Sequence, residues 1–268
     1  CADPGAPCRL PNAFVADPPL EQVITRAVET GFRGIYNFNK FNINWSSIGY
    51  LTRNYDDIIF VSSGTGLSSG YFKNFGETQR LGLDFSLNAS HKNRKNWFKG
   101  FKLNYSFMQA SFQSAHTLPA ANHPNSTNDV EAGDIIPGMP KHKINANVTY
   151  SLHKDLNITG GLTGATGVFL RGDESNQLNK TAPYAVFNLQ SEYSPKKNIN
   201  FFARLENVLN SKYETMGVLG EAASDEVNVP IAELGDTGNG DTAVGPLDPN
   251  FLSPGQPRSF FLGINIKW

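Results

Sequence analysis

Five histidines, two cysteines and a few carboxylate clusters are the residues of this chain that could do chemistry. His116 and His123 share the polar stretch 113–139 with Asp129, Glu131 and Asp134. Imidazole beside carboxylate can hold a metal or an iron chelate, although the stretch also reads as a solvated loop. Arg171-Gly172-Asp173-Glu174 sets a guanidinium beside two carboxylates, a candidate contact for a charged small ligand. Gly235-Asp236-Thr237-Gly238-Asn239-Gly240-Asp241 is oxygen-rich but lacks the bidentate glutamate that a calcium loop needs. The acidic residues around it, Glu221, Asp225, Glu226, Glu233 and Asp248, come without a single Lys or Arg, which suits either a cationic ligand or simple hydration. Cys1 and Cys8 could close a small disulfide loop in an oxidising compartment. They could equally stay free, or Cys1 could carry a lipid; a zinc site would need two further ligands that the neighbouring sequence lacks. There is no G-x-S-x-G element and no phosphate-binding loop, so no enzyme activity, resident metal or cofactor is expected.

The elements that must position these residues are strands. The chain has 268 residues, 23 basic against 24 acidic, so no polybasic patch argues for nucleic acid. Charged residues make up only 18% and aromatics 12%, yet mean hydropathy is −0.35. No stretch approaches the roughly 18 apolar residues of a membrane helix. Alternation takes the place of apolar blocks. Phe260, Leu262, Ile264, Ile266 and Trp268 alternate with Ser259, Gly263, Asn265 and Lys267, with Phe261 out of pattern. Segments 80–89, 143–152 and 199–206 repeat the scheme, and less regular runs occupy about 22–35, 40–61, 99–112, 155–171 and 182–193. About nine strands result, several longer than the five or six residues usual in soluble proteins.

The connections alternate too. Short turns are expected near Gly34–Lys40, Ser90–Lys99, Leu152–Asp155 and Ser194–Asn198, and long polar loops at about 63–70, 113–139, 172–181 and 219–257. In an up-and-down meander that gathers the short turns at one end and the long loops at the other, as in outer-membrane barrels. The expected fold class is therefore all-β, an antiparallel up-and-down transmembrane β-barrel, with residues 22–268 its carboxyl-terminal portion. Residues 1–21 are expected to be an extracellular loop segment. Arg80, Asp84, Lys102, Glu192, Arg204, Glu206 and Lys267 fall on the polar faces and are expected in the lumen, since a Lys or Arg facing lipid at mid-membrane costs about 2–4 kcal/mol. Trp45, Tyr105, Phe107, Tyr150, Tyr193 and Trp268 are candidates for interfacial belts.

Glu77-Thr78-Gln79-Arg80-Leu81-Gly82-Leu83-Asp84-Phe85-Ser86-Leu87, Asn207-Val208-Leu209-Asn210-Ser211-Lys212-Tyr213 and Pro254-Gly255-Gln256-Pro257-Arg258 resemble stretches of the carboxyl-terminal region of TonB-dependent outer-membrane receptors. Tyr55-Asp56-Asp57-Ile58-Ile59 is similar to a further segment of that family. The resemblance covers roughly residues 20–268. It implies a share of a 22-stranded barrel around an amino-terminal plug, set in outer-membrane lipid. It implies energised uptake of a scarce nutrient, most of all an iron-siderophore type chelate, caught by external loops. It also implies as partners the plug and the inner-membrane TonB complex, both reached through sequence upstream of this incomplete barrel. Two other functions compete: a passive porin-like channel and a soluble β-sandwich binding or adhesion module.

Overall fold

The computed structural model describes residues 19–62, 70–93, 95–119, 127–219 and 250–267. Among these there is no helix. Nine strands build one antiparallel sheet: β1 (Ile24–Phe38), β2 (Phe41–Tyr55), β5 (Thr78–His91), β6 (Phe98–Phe112), β9 (His142–His153), β10 (Leu156–Ala165), β11 (Tyr184–Lys196), β12 (Ile199–Glu206) and β15 (Ser259–Ile266), hydrogen-bonded in that order. Three two-stranded hairpins stand apart from it: β3 (Ile58–Ser62) with β4 (Gly70–Asn74), β7 (His116–Pro119) with β8 (Thr127–Val130), and β13 (Glu214–Leu219) with β14 (Asn250–Pro254).

The period-two pattern becomes two chemically distinct faces because paired residues on neighbouring strands share a face. One register row reads Gly34, Trp45, Leu87, Leu103, Ala146, Leu162, Phe187. The adjacent row, one residue along, reads Arg33, Ser46, Ser86, Asn104, Asn145, Thr163. The apolar face is bare: Val28 and Phe32 on β1 and Leu262 on β15 are 72–73% exposed. A soluble sandwich would cover this face with a second sheet, and among the described residues nothing lies over it. The polar face is hollowed by a cleft of about 430 Å³ whose lining includes Ser46, Asp84, Asn104, Lys143 and Thr163. The Phe261 side chain, irregular in the sequence pattern, falls on the polar face opposite Arg204.

The sheet does not close on itself. β1 and β15 lie at its two edges, each with one row of backbone groups unpaired by the sheet, a condition that hydrocarbon does not tolerate.

The turns sort as expected. Strands are joined at one end by Asn39–Lys40, by residues 92–97, by Lys154–Asp155 and by Lys197–Asn198. The long connections and all three hairpins sit at the other end. Three boundaries move. The first turn is tighter than the expected Gly34–Lys40, because Asn39 takes a left-handed φ of 26° and closes the hairpin in two residues. Gly34 stays inside β1, where an added Cβ would come within 2.8 Å of the Trp45 indole that covers it. The expected strand 40–61 breaks at Asp56 (φ 55°), which ends β2 and starts the β3–β4 hairpin. The expected strand 155–171 ends at Ala165.

Aromatic rings gather on the short-turn side. Trp97 stacks on Tyr150 at 5.2 Å, Phe98 meets Phe41 and Tyr150 edge-on, and Tyr193 stacks with Phe201.

Candidate functional site

The long-loop end carries the chain's hydrophobic core. Phe75, Phe112, Leu118 and Val130 are buried together, with Ile59 and Ile136 packed against them. Phe75 contacts the Phe112 ring at 4.8 Å and the His116 ring at 4.3 Å. These contacts seat the β3–β4 and β7–β8 hairpins on the tops of β5 and β6, so this rim is a packed platform.

Polar knots complete it. Asp57 lies where β2 has just ended. Its carboxylate accepts from the fully buried Thr78 hydroxyl at 2.5 Å, from Asn54 at 3.3 Å and from Arg80 at 3.3 Å, while Oδ1 accepts from the Ile58 amide at 3.1 Å. Burial alone would raise its pKa, but the hydrogen bonds and the Arg80 charge outweigh that and hold it below the usual aspartate value. The motif segments 55–59 and 77–87 are thereby two halves of one clasp between β2 and β5. A glycine near the start of β5 serves the same join: Tyr50 lies across Gly82, where a Cβ would meet the ring at 2.2 Å.

The other two motifs form a second clasp. Asn207, 1% exposed with φ 50°, donates through Nδ2 to the Ser211 and Gln256 carbonyls at 2.9 and 3.0 Å and accepts the Ser211 amide at 2.8 Å. Its own amide donates to Asn188 on β11. Asn210 accepts the Arg258 amide, and the Gly255 amide donates to the Tyr213 carbonyl at 2.7 Å beneath the Tyr213 ring. Residues 207–213 and 254–258 thus tie the outgoing end of β12 to the incoming end of β15.

A third knot binds the loop 166–183 to the β7–β8 hairpin. Asn128, 1% exposed, donates to the Gly172 carbonyl and to the Glu174 carboxylate and accepts the Ser175 amide at 2.8 Å. Asn176 accepts the Ile135 amide and returns a bond to its carbonyl.

This geometry redistributes the residues singled out as ligand contacts. Asp173 is fully buried, and its oxygens accept the Gln177 and Leu178 amides, so it organises the loop and is not presented to a ligand. Glu174 is also turned inward, to Asn128 and the Gly172 amide; burial is the main cause holding its pKa above the usual glutamate value. Arg171 keeps an exposed side chain while its backbone bridges to Gly217 and Leu219 of β13. His116 lies on Phe75, and burial together with the Lys73 charge lowers its pKa, which favours the neutral ring. Among the described residues no group of three His, Cys, Asp or Glu could hold a metal. His123, Cys1, Cys8, Trp268 and the acidic stretch 220–249 lie outside the described residues. Arg80, Asp84, Lys102, Glu192, Arg204 and Glu206 all sit on polar-face register rows, and Lys267 follows the end of β15 with its amide on the Asn198 carbonyl.

A long-strand meander with one apolar face, sorted loops and clasped motif segments can be compared with known proteins. The family model described as "TonB dependent receptor-like, beta-barrel" matches residues 5–208. The chain belongs to the TonB-dependent receptor family. Among solved structures, the siderophore receptor PiuA from Acinetobacter baumannii is similar over 91% of this chain at 14% identity, with a TM-score of 0.60. The ferric-catecholate import receptor Fiu from E. coli K12 is similar over 96% at 12% identity and a TM-score of 0.58. The copper transporter OprC is similar over 90% at 17% identity and a TM-score of 0.53. The chain spans 28–31% of the length of these three proteins. No curated protein matches. TonB-dependent receptors are transport proteins of the Gram-negative outer membrane.

Sequence reasoning missed the three knot centres, Asp57, Asn128 and Asn207. Asp57 and Asn207 sit inside the quoted motifs, so the signal for them was present. Asn128 lies in the stretch 113–139, which reads as a polar loop in the sequence although it forms β8 in the structure, and carries none.

Proposed function

We propose that this chain is the carboxyl-terminal barrel portion of an outer-membrane receptor for energised uptake of a ferric siderophore-type chelate. The observation that carries this reading is the packed rim above a hollowed wall: a binding platform at the long-loop end, with a cleft of about 430 Å³ on the polar-face side of the sheet. The siderophore and ferric-catecholate receptors with the same fold support the substrate class. Arg171, exposed at the rim, is the contact proposed for an anionic chelate. The charges on the polar face, Arg80 through Glu206, would line the lumen and meet the plug, and the TonB complex would act on that plug. Residues 1–21 would lie with the external loops.

The test is uptake of radioactive iron, presented with a panel of siderophores, by a receptor-deficient strain expressing the full-length gene. Accumulation that stops when the inner-membrane energy coupling is deleted is the expected result. Ion conductance that persists without coupling would instead make this a passive channel.

A further inference from the structure

Charges are scarce on the apolar face, and two arginines there stand side by side. Arg26 on β1 is paired in register with Arg53 on β2, and both side chains are exposed. Each lies twelve residues along its strand from the short turn between Phe38 and Phe41. At roughly 3.3 Å per residue and a tilt near 40°, that is about 30 Å up the wall. The lipid-facing apolar band of such barrels is about 25 Å tall, so the pair sits at headgroup depth on the long-loop side.

Like charges placed directly opposite one another destabilise a strand pair. The described neighbours do not compensate here. Arg53 donates to the Gln79 carbonyl oxygen at 3.2 Å, and the Arg26 guanidinium lies over the Tyr55 ring at 5.3 Å. Both partners are neutral, and among the described residues neither arginine has a carboxylate at ion-pair distance. The Gln79 side-chain amide accepts from Arg53 and keeps its two N–H donors. Three adjacent strands therefore present donors and two net positive charges to the headgroup layer.

We propose that Arg26, Arg53 and Gln79 bind the phosphomonoester headgroup of a lipid in the outward-facing leaflet. A phosphomonoester carries about −1.5 to −2 charges near neutral pH, which matches two guanidiniums, and its three oxygens accept bidentate bonds from both. A phosphodiester offers only one charge. The site opens to lipid and away from the polar face, so a solute moving through the lumen does not reach it. The leaflet assignment rests on the orientation given under Proposed function.

The experiment uses the full-length receptor in nanodiscs of phosphatidylethanolamine, with lipid adducts read by native mass spectrometry. Bisphosphorylated lipid A is the probe, against the same glycolipid after phosphatase treatment and against phosphatidylglycerol. The expected result is retention of the phosphorylated glycolipid alone, weakened roughly tenfold or more in R26Q/R53Q. R26K/R53K, which keeps charge but loses the fork, is expected to be intermediate, and R33Q on the opposite face of β1 unchanged. Equal occupancy in wild type and R26Q/R53Q overturns the site, and equal retention of phosphatidylglycerol overturns the monoester assignment. The readout involves no uptake, so a receptor that binds the lipid but carries no chelate refutes only the transport reading.

Discussion

Phe32 on β1 and Phe112 at the top of β6 are the same residue type in the same sheet, yet one is 73% exposed and the other not exposed at all. The wall of strands has almost no interior: most of its apolar side chains fall on one face and most of its polar ones on the other, so it holds together through backbone ladders. The rim at the long-loop end behaves like a small soluble protein, with an aromatic core and buried amides whose every bond is made inside. Polar residues mean different things in the two places. In the rim, half-buried Asp57 and buried Asn128, Asp173 and Asn207 are structural fasteners; on the wall, polar side chains such as Asn104 and Lys143 face open space. Apolar substitutions should therefore be tolerated differently by height rather than by residue type.

The largest expected difference comes from deleting the same ring in each region of the full-length receptor. Phe112→Ala should destabilise the rim by about 3–5 kcal/mol through lost burial and a residual cavity. Hydrogen exchange should show 113–119 and 127–139 opening together. Phe32→Ala should leave those segments protected, because lipid closes over the gap. Equal opening in both variants would erase the distinction between rim and wall.

Next in size is a charge placed on the bare face. Leu83→Arg, outward on β5, should cost about 2–4 kcal/mol in urea unfolding within bilayers. Asn88→Arg, on the polar face of the same strand, should cost far less. If the two cost the same, the register-derived faces are wrong.

Asn207→Ala should cost about 1–3 kcal/mol, because the Ser211 amide and two carbonyls lose their partner inside the clasp. Its signature is local: exchange rises at 207–219 and 254–258 while β9 and β10 keep their protection.

The smallest effect is a pair of opposed pH dependences within the rim. The pKa of Asp57 is lowered by folding, so its contribution is complete above the ordinary aspartate pKa of 3.8 and fades as pH falls through the depressed value. That of Glu174 is raised, so its contribution is complete below the ordinary glutamate pKa of 4.5 and fades as pH rises through the raised value. Asp57→Asn should flatten the acid side of the rim's protection profile, and Glu174→Gln should flatten the loss on the less acid side. Slopes that stay unchanged in both variants would detach these carboxylates from rim stability.

Much of the wall was legible in the sequence. Alternation from Leu81 to Ala89 or from Ile144 to Leu152 states both the strand and its two faces, because a side chain has only two directions to take in a strand. Loop lengths told the short-turn end from the long-loop end, since a meander sorts its connections by parity. The rim was much less legible. The strands β3, β4, β7, β8, β13 and β14 are four to six residues long, too short for alternation to rise above chance. Asp173 and Glu174 looked like ligand contacts because charge is visible in a sequence, whereas the backbone amides that occupy them are not.

Residue types and their order determined that this chain is a membrane wall with a wet side, a greasy side and a loop end. That information is local, carried by neighbours one and two residues apart. The tertiary structure alone decided that Asp57 faces Thr78, that Asn128 reaches the Glu174 carboxylate, that Asn207 reaches Gln256, and that Arg26 stands opposite Arg53. Those encounters join residues 21 to 49 positions apart. They depend on strand register and on loops folding back, which no local pattern encodes.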